Sequence, residues 1–579
     1  MDKISLLEQK IQDNKLDFYL VTSFDEFQNE FTPDNLNRLK WLTGFTGSNG
    51  IAIMTNTKKH YFLTDGRYTS QAKLELNNKT FDIYNFQDID KLSDILIQTN
   101  QDIIVGYDPF IITQKYLEYL KQYFKKNKKF EFHAVEENLV DKIWERKIEF
   151  KTKAPSGLDA KYTSENETEK ISKLLSYMKT DYMLFTSPES ICWLLNIRGN
   201  DLAYTPLIFF YSIISKDGEI ELFSYLTKFK SNYPKIKLSN FSEFKKRIFE
   251  INKSSKTIEL DPSRTPIWFM QNIDKKNLIL KKDPCQISKS IKNSVELSGF
   301  KYAAIQDGIA LTKLFVWIEE CIGKNDKITE IDVDKKLSSL KQENQLFKTK
   351  SFETISAFAE NSAVIHYNPY NGNNKIISND NFYLLDSGSQ YSCGTTDVTR
   401  TFHFGNITDE QKLHYTLVLK GLINLSKLKF PKGTTGNHID AIARQFLWNH
   451  GLDYNHGTGH GVGHYLSVHE GPQGISKNNN NILYPGMVLS IEPGFYIQDA
   501  YGIRLENLVY VKAVDENFLK FETITLAPIS YAPVDKALLT QEEKDWLIQY
   551  NTDIYKILLP FIDQKSRDYL KILMNNKLC

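Results

Sequence analysis

The sequence predicts an α/β (α+β) protein with two related N-terminal α/β domains followed by a larger C-terminal domain. Three observations lead to this prediction. The chain has 579 residues, which is enough for three or four domains of about 100–200 residues each. Two segments of its N-terminal half resemble each other, and strand-like stretches follow both. The C-terminal part contains a series of alternating strand-like segments and carries a cluster of acidic residues and histidines.

The composition is that of a globular protein, and it excludes several functional classes. The 72 basic and 71 acidic residues leave a net charge of +1, which argues against binding to nucleic acid or to membrane surfaces. The five scattered cysteines include no C-x-x-C pair, so neither a disulfide scaffold nor a zinc finger is predicted. No signal-peptide core and no apolar run long enough to span a bilayer is present. We therefore expect a cytoplasmic protein.

The two N-terminal domains are predicted from an internal repeat. The segment LDFYLVTSFDE at 16–26 matches TDYMLFTSPES at 180–190 in the order of its residues. A second match follows in the same order, between Trp41 and Trp193 and between Gly47 and Gly199. Repeats of this kind indicate one structural unit used twice.

The domain boundaries follow from changes in local pattern. A polar linker at Lys151–Glu165 separates a first domain at 1–150 from a second at 151–285. The third domain, 286–579, opens with helical periodicity over Ile287–Cys321. It closes with a helical extension at about 530–579, where Thr540-x-x-Glu543 has capping-box spacing.

Two aspartates of the third domain are predicted to lie on adjacent strands. Asp386 ends the apolar run FYLLD, and Asp397 begins the β-branched run DVTRTF after a glycine-containing connection. This pattern predicts a β-hairpin. Two buried carboxylates repel each other, and a cation between them removes the repulsion. Each aspartate taken alone is equally compatible with a solvent-facing position.

The segment HGTGHGVGH at 456–464 predicts a loop that belongs to a site. Its alternating glycines exclude a helix, so His456 and His460 are not a helical zinc pair. The spacing also fails the G-x-G-x-x-G pattern of a phosphate-binding loop. A lone histidine is usually structural. The chain has four histidines between 456 and 469. So many histidines in a short segment favour a site, in which the glycines let the backbone approach a ligand closely.

Two more carboxylates complete the candidate cluster. Glu492 ends a strand before a Pro-Gly turn, and Glu506 shares one face of a predicted strand at 502–511 with Arg504. Taken alone, this last pair is equally compatible with a simple ion pair. Together, strand-borne carboxylates and an imidazole suit two divalent cations that activate a water for amide hydrolysis. Oxygen-rich ligands favour manganese, cobalt or iron over a thiolate-bound structural zinc.

These residues resemble the pita-bread peptidase family that includes methionine aminopeptidase, prolidase and aminopeptidase P. The resemblance lies in the segments LLDSG, TTDVTRT, HGTGHGVG, SIEPGF and IRLEN. It implies a pita-bread catalytic domain and these metal ligands: Asp386, Asp397, His460, Glu492 and Glu506. It further implies two metal ions, with manganese favoured and cobalt, iron or zinc as alternatives.

The same resemblance implies roles for residues around the metals. His366 and His469 match histidines that bind the scissile carbonyl and stabilise the tetrahedral intermediate, and His456 matches one that lines the substrate pocket. Arg504 matches an arginine that orients the site. Glu492 is expected to relay a proton from a metal-bridging hydroxide to the leaving nitrogen. His464 has no counterpart, and we expect it to pack rather than to bind metal.

The resemblance extends over nearly the whole chain and implies a function. WLTGFTGSNG at 41–50 and WLLNIRGND at 193–201 are similar to creatinase-like N-terminal domains of the three-domain branch. We therefore expect an aminopeptidase that acts on peptides with proline at the second position, and that forms a homodimer as family members commonly do. The alternatives are a prolidase, which cuts only Xaa-Pro dipeptides, and a non-catalytic binding module, which would lack the ligands.

Overall fold

A computed structural model of the chain describes residues 2–96, 102–124, 130–152, 154–226 and 228–575. Contacts divide it into two compact units, the first formed by Met1–Gly157 and Glu165–Cys285 and the second by Leu158–Ser164 and Gln286–Cys579. Residues 576–579 of the predicted helical extension lie outside the described residues. None of the helices that are described is long and apolar enough to cross a membrane.

The first unit contains two six-stranded sheets. The strands and helices of the first sheet region are α1 (Lys3–Asp13), β1 (Phe18–Thr22), α2 (Arg38–Thr43), β2 (Gly50–Thr55), β3 (His60–Thr64), α3 (Thr69–Glu75), β4 (Phe81–Asn85), α4 (Ile89–Leu96), β5 (Ile103–Tyr107), α5 (Gln114–Phe124) and β6 (Phe130–Ala134). Alternate residues of β1 enter different cores, Tyr19 and Val21 on one face and Leu20 on the other. The period of two along a strand therefore buries both faces of this sheet.

The second sheet region continues the chain through the linker, whose short helix at Ala160–Thr163 belongs to the second unit. Its elements are β7 (Ser156–Gly157), α6 (Ala160–Thr163), α7 (Glu167–Tyr177), β8 (Tyr182–Phe185), α8 (Pro188–Leu194), β9 (Ile197–Arg198), β10 (Phe210–Ser215), β11 (Ile220–Ser224), β12 (Ile236–Asn240), α9 (Phe244–Lys253), β13 (Ile258–Leu260), α10 (Ile267–Asn272) and β14 (Leu278–Leu280).

The two sheets have the same topology. Their strand orders are β4-β3-β2-β1-β5-β6 and β12-β11-β10-β8-β13-β14. The inner pairs β1–β2 and β8–β10 are antiparallel, whereas β1–β5 and β8–β13 are parallel. The repeated segments 16–26 and 180–190 therefore occupy equivalent central strands, and the prediction of two related α/β folds is confirmed.

The second unit holds the remaining helices and strands. They are α11 (Pro284–Ser290), α12 (Ser294–Gly323), α13 (Glu330–Lys341), β15 (Phe347–Lys350), β16 (Ile355–Phe358), β17 (Phe382–Ser387), β18 (Ser389–Tyr391), β19 (Gly394–Thr395), β20 (Val398–His403), α14 (Asp409–Ser426), β21 (Lys429–Pro431), α15 (Gly436–Trp448), β22 (Gly459–His460), β23 (Gly474–Ile475), β24 (Val488–Ile491), β25 (Gly494–Ile497), β26 (Tyr501–Arg504), β27 (Asn507–Ala513), β28 (Phe518–Thr523), α16 (Gln541–Leu558) and α17 (Gln564–Asn575).

The larger sheets described in this unit are the four-stranded β21-β28-β27-β24 and two of three strands each, β15-β18-β19 and β16-β17-β20. The predicted helix at 287–321 is two helices, α11 and α12. The side chain of Asn293 accepts hydrogen bonds from the backbone N–H groups of Val295 and Glu296, and this N-cap begins the second helix. The predicted capping box is present, since Thr540 and Glu543 exchange hydrogen bonds at the start of α16.

Candidate metal centre

Three overlapping sets of carboxylate and imidazole atoms lie together in the second unit. Within each set the ligand atoms are all within 4.8 Å of one another. The sets are Asp386, Asp397 and Glu506; His460, Glu492 and Glu506; and Asp397, His460 and His469. The structure therefore brings together all five residues that were predicted as ligands, and it adds His469 at their edge.

The two aspartates are placed by the pairing of β17 with β20. In this antiparallel pair Asp386 lies opposite Thr399, and Asp397 directly precedes the first residue of β20. The predicted hairpin has an elaborate connection, because β18 and β19 lie between the two strands and belong to another sheet, in which β18 pairs with both β15 and β19. Two residues after Asp397, the Thr399 hydroxyl donates to Glu506 Oε2 at 2.9 Å.

His460 is oriented by the glycine-rich segment that carries it. Its Nδ1–H donates to the carbonyl of Gly461 at 3.0 Å, which leaves the Nε2 lone pair as the ligand atom. This Nε2 lies 3.4 Å from Asp397 Oδ2 and 3.7 Å from Glu492 Oε1. A metal-binding histidine requires this arrangement, with one ring nitrogen donating to the backbone and the other facing carboxylates.

Two glycines of this segment allow close approach to neighbouring backbone. A Cβ on Gly459 would lie 1.9 Å from the carbonyl oxygen of Ser490, and one on Gly461 would lie 2.1 Å from that of Glu470. Gly457 has no heavy atom within 3.5 Å of such a Cβ position, its nearest being at 3.6 Å. Gly459 and Gly461 therefore let β22 pack tightly against neighbouring backbone, whereas the position of Gly457 is open.

Glu492 and Glu506 lie just beyond the ends of strands. Glu492 follows β24, and its N–H donates to the carbonyl of Thr458 at 2.7 Å. The single strand predicted at 502–511 is instead two strands, β26 and β27, which pair with different partners. Glu506 occupies the break, where its N–H donates to the carbonyl of Thr399 at 3.1 Å. The break turns its carboxylate toward the aspartates.

Arg504 links three parts of the site. Its Nη2 lies 2.6 Å from Asp386 Oδ2, and its Nη1 donates to the hydroxyl of Tyr496 at 2.8 Å. The same Nη2 is 3.5 Å from the carbonyl oxygen of Ile365, so the residue before His366 lies against the guanidinium. His366 is partly buried and belongs to none of the three ligand sets.

The remaining histidines differ in their surroundings. The ring of His469 is 4.3 Å from that of His460 in an edge-to-face arrangement. His456 Nε2 is 2.9 Å from the Tyr496 hydroxyl. His464 is buried and donates from Nε2 to the carbonyl of Cys393 at 2.8 Å. The expectation that His464 packs outside the ligand set agrees with these contacts.

Tyr496 is the site residue that the sequence reasoning missed. Its hydroxyl joins His456 to Arg504, and burial raises its pKa to about 12. It stands on β25 two residues after Gly494, which lies opposite Arg504 in the β25–β26 pair, so the alternation of these two strands was the signal that could have identified it.

The electrostatics of the cluster favour bound cations. Burial, together with the charges of Asp386 and Glu492, raises the pKa of Asp397 well above its usual value. Burial and the charge of Asp397 do the same to the pKa of Glu506. Asp386 Oδ1 and Glu506 Oε1 are buried and accept no hydrogen bond, and unsatisfied buried oxygens of this kind are costly. The residues therefore fit a site for divalent metal ions.

Carboxylates and an imidazole that meet at strand ends in overlapping ligand sets define the class of this protein as a metal-dependent hydrolase. Family models agree. The model for metallopeptidase family M24 matches residues 298–513, and the C-terminal region of peptidase M24 matches 517–573. The creatinase/prolidase N-terminal domain matches twice, at 3–142 and 149–296.

Similar proteins cover nearly the whole chain. A probable Xaa-Pro aminopeptidase P from Neurospora crassa is 38% identical to this chain, over 97% of this chain and 86% of its own length. The probable Xaa-Pro aminopeptidase P from Sordaria macrospora is also 38% identical, over 98% of this chain and 98% of its own length. The crystal structure of an X-prolyl aminopeptidase from Caenorhabditis elegans, described as a cytosolic enzyme with a di-nuclear active site, has a TM-score of 0.92 and 32% identity. The match covers 99% of this chain and 98% of that one. The chain belongs to metallopeptidase family M24, and the predicted fold class is confirmed.

Proposed function

We propose that this enzyme is an Xaa-Pro aminopeptidase, which removes the first residue from peptides whose second residue is proline. The cluster of four carboxylates and one imidazole carries the proposal, because it supplies the ligands that two divalent ions need. The named relatives match 97–98% of the chain. Their likeness therefore includes both N-terminal sheets, and this supports the aminopeptidase over a prolidase.

The residues proposed to hold the two ions are Asp386, Asp397, His460, Glu492 and Glu506. Manganese is the proposed ion, with cobalt, iron or zinc as alternatives, because the set contains four oxygen-donating side chains and one nitrogen. When bound, two such ions polarise the scissile carbonyl and make a water at the site acidic enough to attack it.

The side chains of the protein have separate parts in the proposed reaction. His366 and His469 donate hydrogen bonds to the scissile carbonyl oxygen as negative charge develops on it. The carboxylate of Glu492 takes the proton of the attacking water at its Oε1 or Oε2 and passes it to the leaving nitrogen. Arg504 fixes the orientation of Asp386 through their 2.6 Å contact and so acts on substrate indirectly.

Proline at the second position is selected by the nature of its amide. The bond to proline is a tertiary amide without an N–H, so a site that requires this donor rejects it. His456 is proposed to line the pocket for the ring. Its 2.9 Å contact with the Tyr496 hydroxyl would fix the imidazole, which then presents a flat apolar face.

The domain organisation and assembly are part of the proposal. We propose domains at 1–150, 151–285 and 286–579, with the helical extension from about 530. The family-model boundary between 142 and 149 supports the first division, and the contact division between Cys285 and Gln286 supports the second. A homodimer is proposed from the resemblance. A cytoplasmic location is proposed from the composition, and the description of the Caenorhabditis elegans enzyme as cytosolic supports it.

The test is hydrolysis by metal-stripped protein with and without added Mn²⁺. Three substrates are compared: a tripeptide with proline second, the matching Xaa-Pro dipeptide, and a tripeptide with alanine second. We expect Mn²⁺-dependent release of the first residue from the proline tripeptide and none from the alanine tripeptide. Cleavage of the dipeptide alone would assign a prolidase. No cleavage of any substrate by folded, metal-loaded protein would leave a binding module.

A further inference from the structure

A buried ionic cluster lies directly behind the metal centre. The Glu470 carboxylate is held between two lysines, with Oε2 at 2.8 Å from Lys289 Nζ and Oε1 at 2.5 Å from Lys292 Nζ. All three side chains are completely buried. Glu296 adds a second negative charge that acts on Lys292, so the charges of the cluster balance.

Stability alone does not account for these charges. Removing an ion from water costs several kcal/mol, and the attraction between partners in the interior repays this only with excellent geometry. Apolar side chains of similar volume often stabilise a protein as well or better. The best-attested use of buried ion pairs is to fix the position of the segments that carry them.

The segment fixed by Glu470 is the loop between two site histidines. Glu470 directly follows His469 in the chain, and its N–H donates to the carbonyl of Gly461, the residue after His460, at 2.7 Å. This bond closes the loop at its base. The rings of His460 and His469, 4.3 Å apart, stand on the two sides of that closure.

The lysines belong to a segment that is itself held firmly. Lys289 lies in the last turn of α11, and the N–H of Lys292 donates to the carbonyl of Gly486 at 3.0 Å. The next residue, Asn293, caps α12 in a capping box with Glu296. Two helix ends therefore fix the ammonium groups that grip the Glu470 carboxylate.

We propose that Glu470, gripped by Lys289 and Lys292, is a positioning residue that holds the His469 imidazole against the metal centre. Glu470 itself touches neither substrate nor metal in this arrangement. The inference rests on the proposed function, because it matters only if His469 binds the scissile carbonyl. Neutralising Glu470 is expected to leave His469 present but poorly aimed, which lowers turnover more than substrate affinity.

The experiment compares the Mn²⁺-loaded full chain with Glu470→Gln, Glu470→Asp and a matched control, Glu543→Gln. Glu543 is also a buried carboxylate paired with a lysine, Lys420 at 2.5 Å, but its bonds run to α14 and to the cap of α16. The measurements are kcat and KM on the proline tripeptide, Mn²⁺ affinity by calorimetry, and the melting temperature.

We expect Glu470→Gln to lower kcat about 10–100-fold, the usual effect of removing a residue that orients a site, with KM and Mn²⁺ affinity changed less than about threefold. Glu470→Asp keeps the charge and is expected to recover most of the turnover. Glu543→Gln is expected to lower the melting temperature while keeping kcat within about twofold of wild type.

Three outcomes overturn the proposal. They are a kcat for Glu470→Gln within twofold of wild type, an equal loss in Glu543→Gln, and a loss of Mn²⁺ affinity that matches the loss of turnover. If Glu470→Gln does not fold, Lys292→Met replaces it. This variant removes one of the two lysine contacts of the Glu470 carboxylate, while Lys289 still neutralises its charge. An unchanged kcat in Lys292→Met overturns the proposal. Wild type that fails to cleave the tripeptide contradicts the proposed function instead, which keeps the two failures distinct.

Discussion

At the metal centre, single side chains each serve several neighbours. The Thr399 hydroxyl donates to Glu506 and lies 3.3 Å from Arg504 Nε, while Arg504 also contacts Asp386 and Tyr496. Arg400 on the same strand is fully buried and donates to the backbone carbonyl of Glu506 at 2.6 Å. The carboxylates are therefore fixed through their own oxygens and through their backbone, before any ion is added.

Asp397 offers the sharpest test at this scale. Asp397→Asn is expected to lower kcat on the proline tripeptide by at least about 100-fold, because the amide is a poor metal ligand. The metal-free variant is expected to melt at the same temperature as metal-free wild type or higher. The reason is that burial and the charge of Asp386 raise the pKa of Asp397, so its ionised form opposes folding.

Steady-state kinetics and a thermal melt in a chelator check both parts of this prediction. Full activity in folded Asp397→Asn would remove Asp397 from the ligand set. A large fall in its metal-free melting temperature would show that the carboxylate stabilises the fold by another route.

Among the elements, the strand β22 shows how packing determines a motif. The glycines beside His460 have different requirements although they look equivalent in the sequence. Gly459 faces the carbonyl of Ser490 and Gly461 that of Glu470, whereas Gly457 is open. Glycine is needed at 459 and 461 because a backbone carbonyl occupies the place of a Cβ atom there, and a shift of that backbone would destabilise the fold.

This difference predicts a matched pair of variants. Gly459→Ala is expected to lower the free energy of unfolding by about 1–3 kcal/mol, the usual cost of overpacking. It is also expected to displace His460 and so to lower the Mn²⁺ affinity. Gly457→Ala is the control and is expected to keep both the melting temperature and the Mn²⁺ affinity near wild type. Equal behaviour of the two variants, measured by thermal melts and calorimetry, would contradict the packing argument.

For the whole molecule, metal binding and folding are linked through pH. Burial raises the pKa of Asp397, Glu492 and Glu506 in the metal-free protein, whereas carboxyls of an unfolded chain titrate near pH 4. Above about pH 4 the folded state therefore binds more protons than the unfolded state. This contribution to the free energy of unfolding consequently falls as pH rises through the raised pKa values.

Bound Mn²⁺ needs these carboxylates ionised and offsets their repulsion. Saturating Mn²⁺ is expected to raise the melting temperature of metal-stripped protein by on the order of 5 °C at about pH 7.5, and by less at about pH 5.5. Thermal melts at both pH values measure the difference, with Asp397→Asn as the control that shows a smaller gain. An equal gain at both pH values would mean that these carboxylates are not the metal ligands.

The sequence alone determined the features that depend on local pattern. The repeat at 16–26 and 180–190 predicted two related α/β domains, the Thr540–Glu543 spacing predicted a helix start, and the ordered motifs predicted the five carboxylate and histidine residues that meet in the cluster. These succeed because strand alternation, helix caps and short motifs are properties of a few consecutive residues.

Only the tertiary structure decided where long-range contacts break or join these patterns. The strand predicted at 502–511 is broken at Glu506 because its two halves pair with different strands, β25 and β24. Tyr496 enters the site only through its contacts with His456 and Arg504. Glu470 meets Lys289 and Lys292 from a distant part of the chain. Such partners are chosen by packing in three dimensions, which no short stretch of sequence encodes.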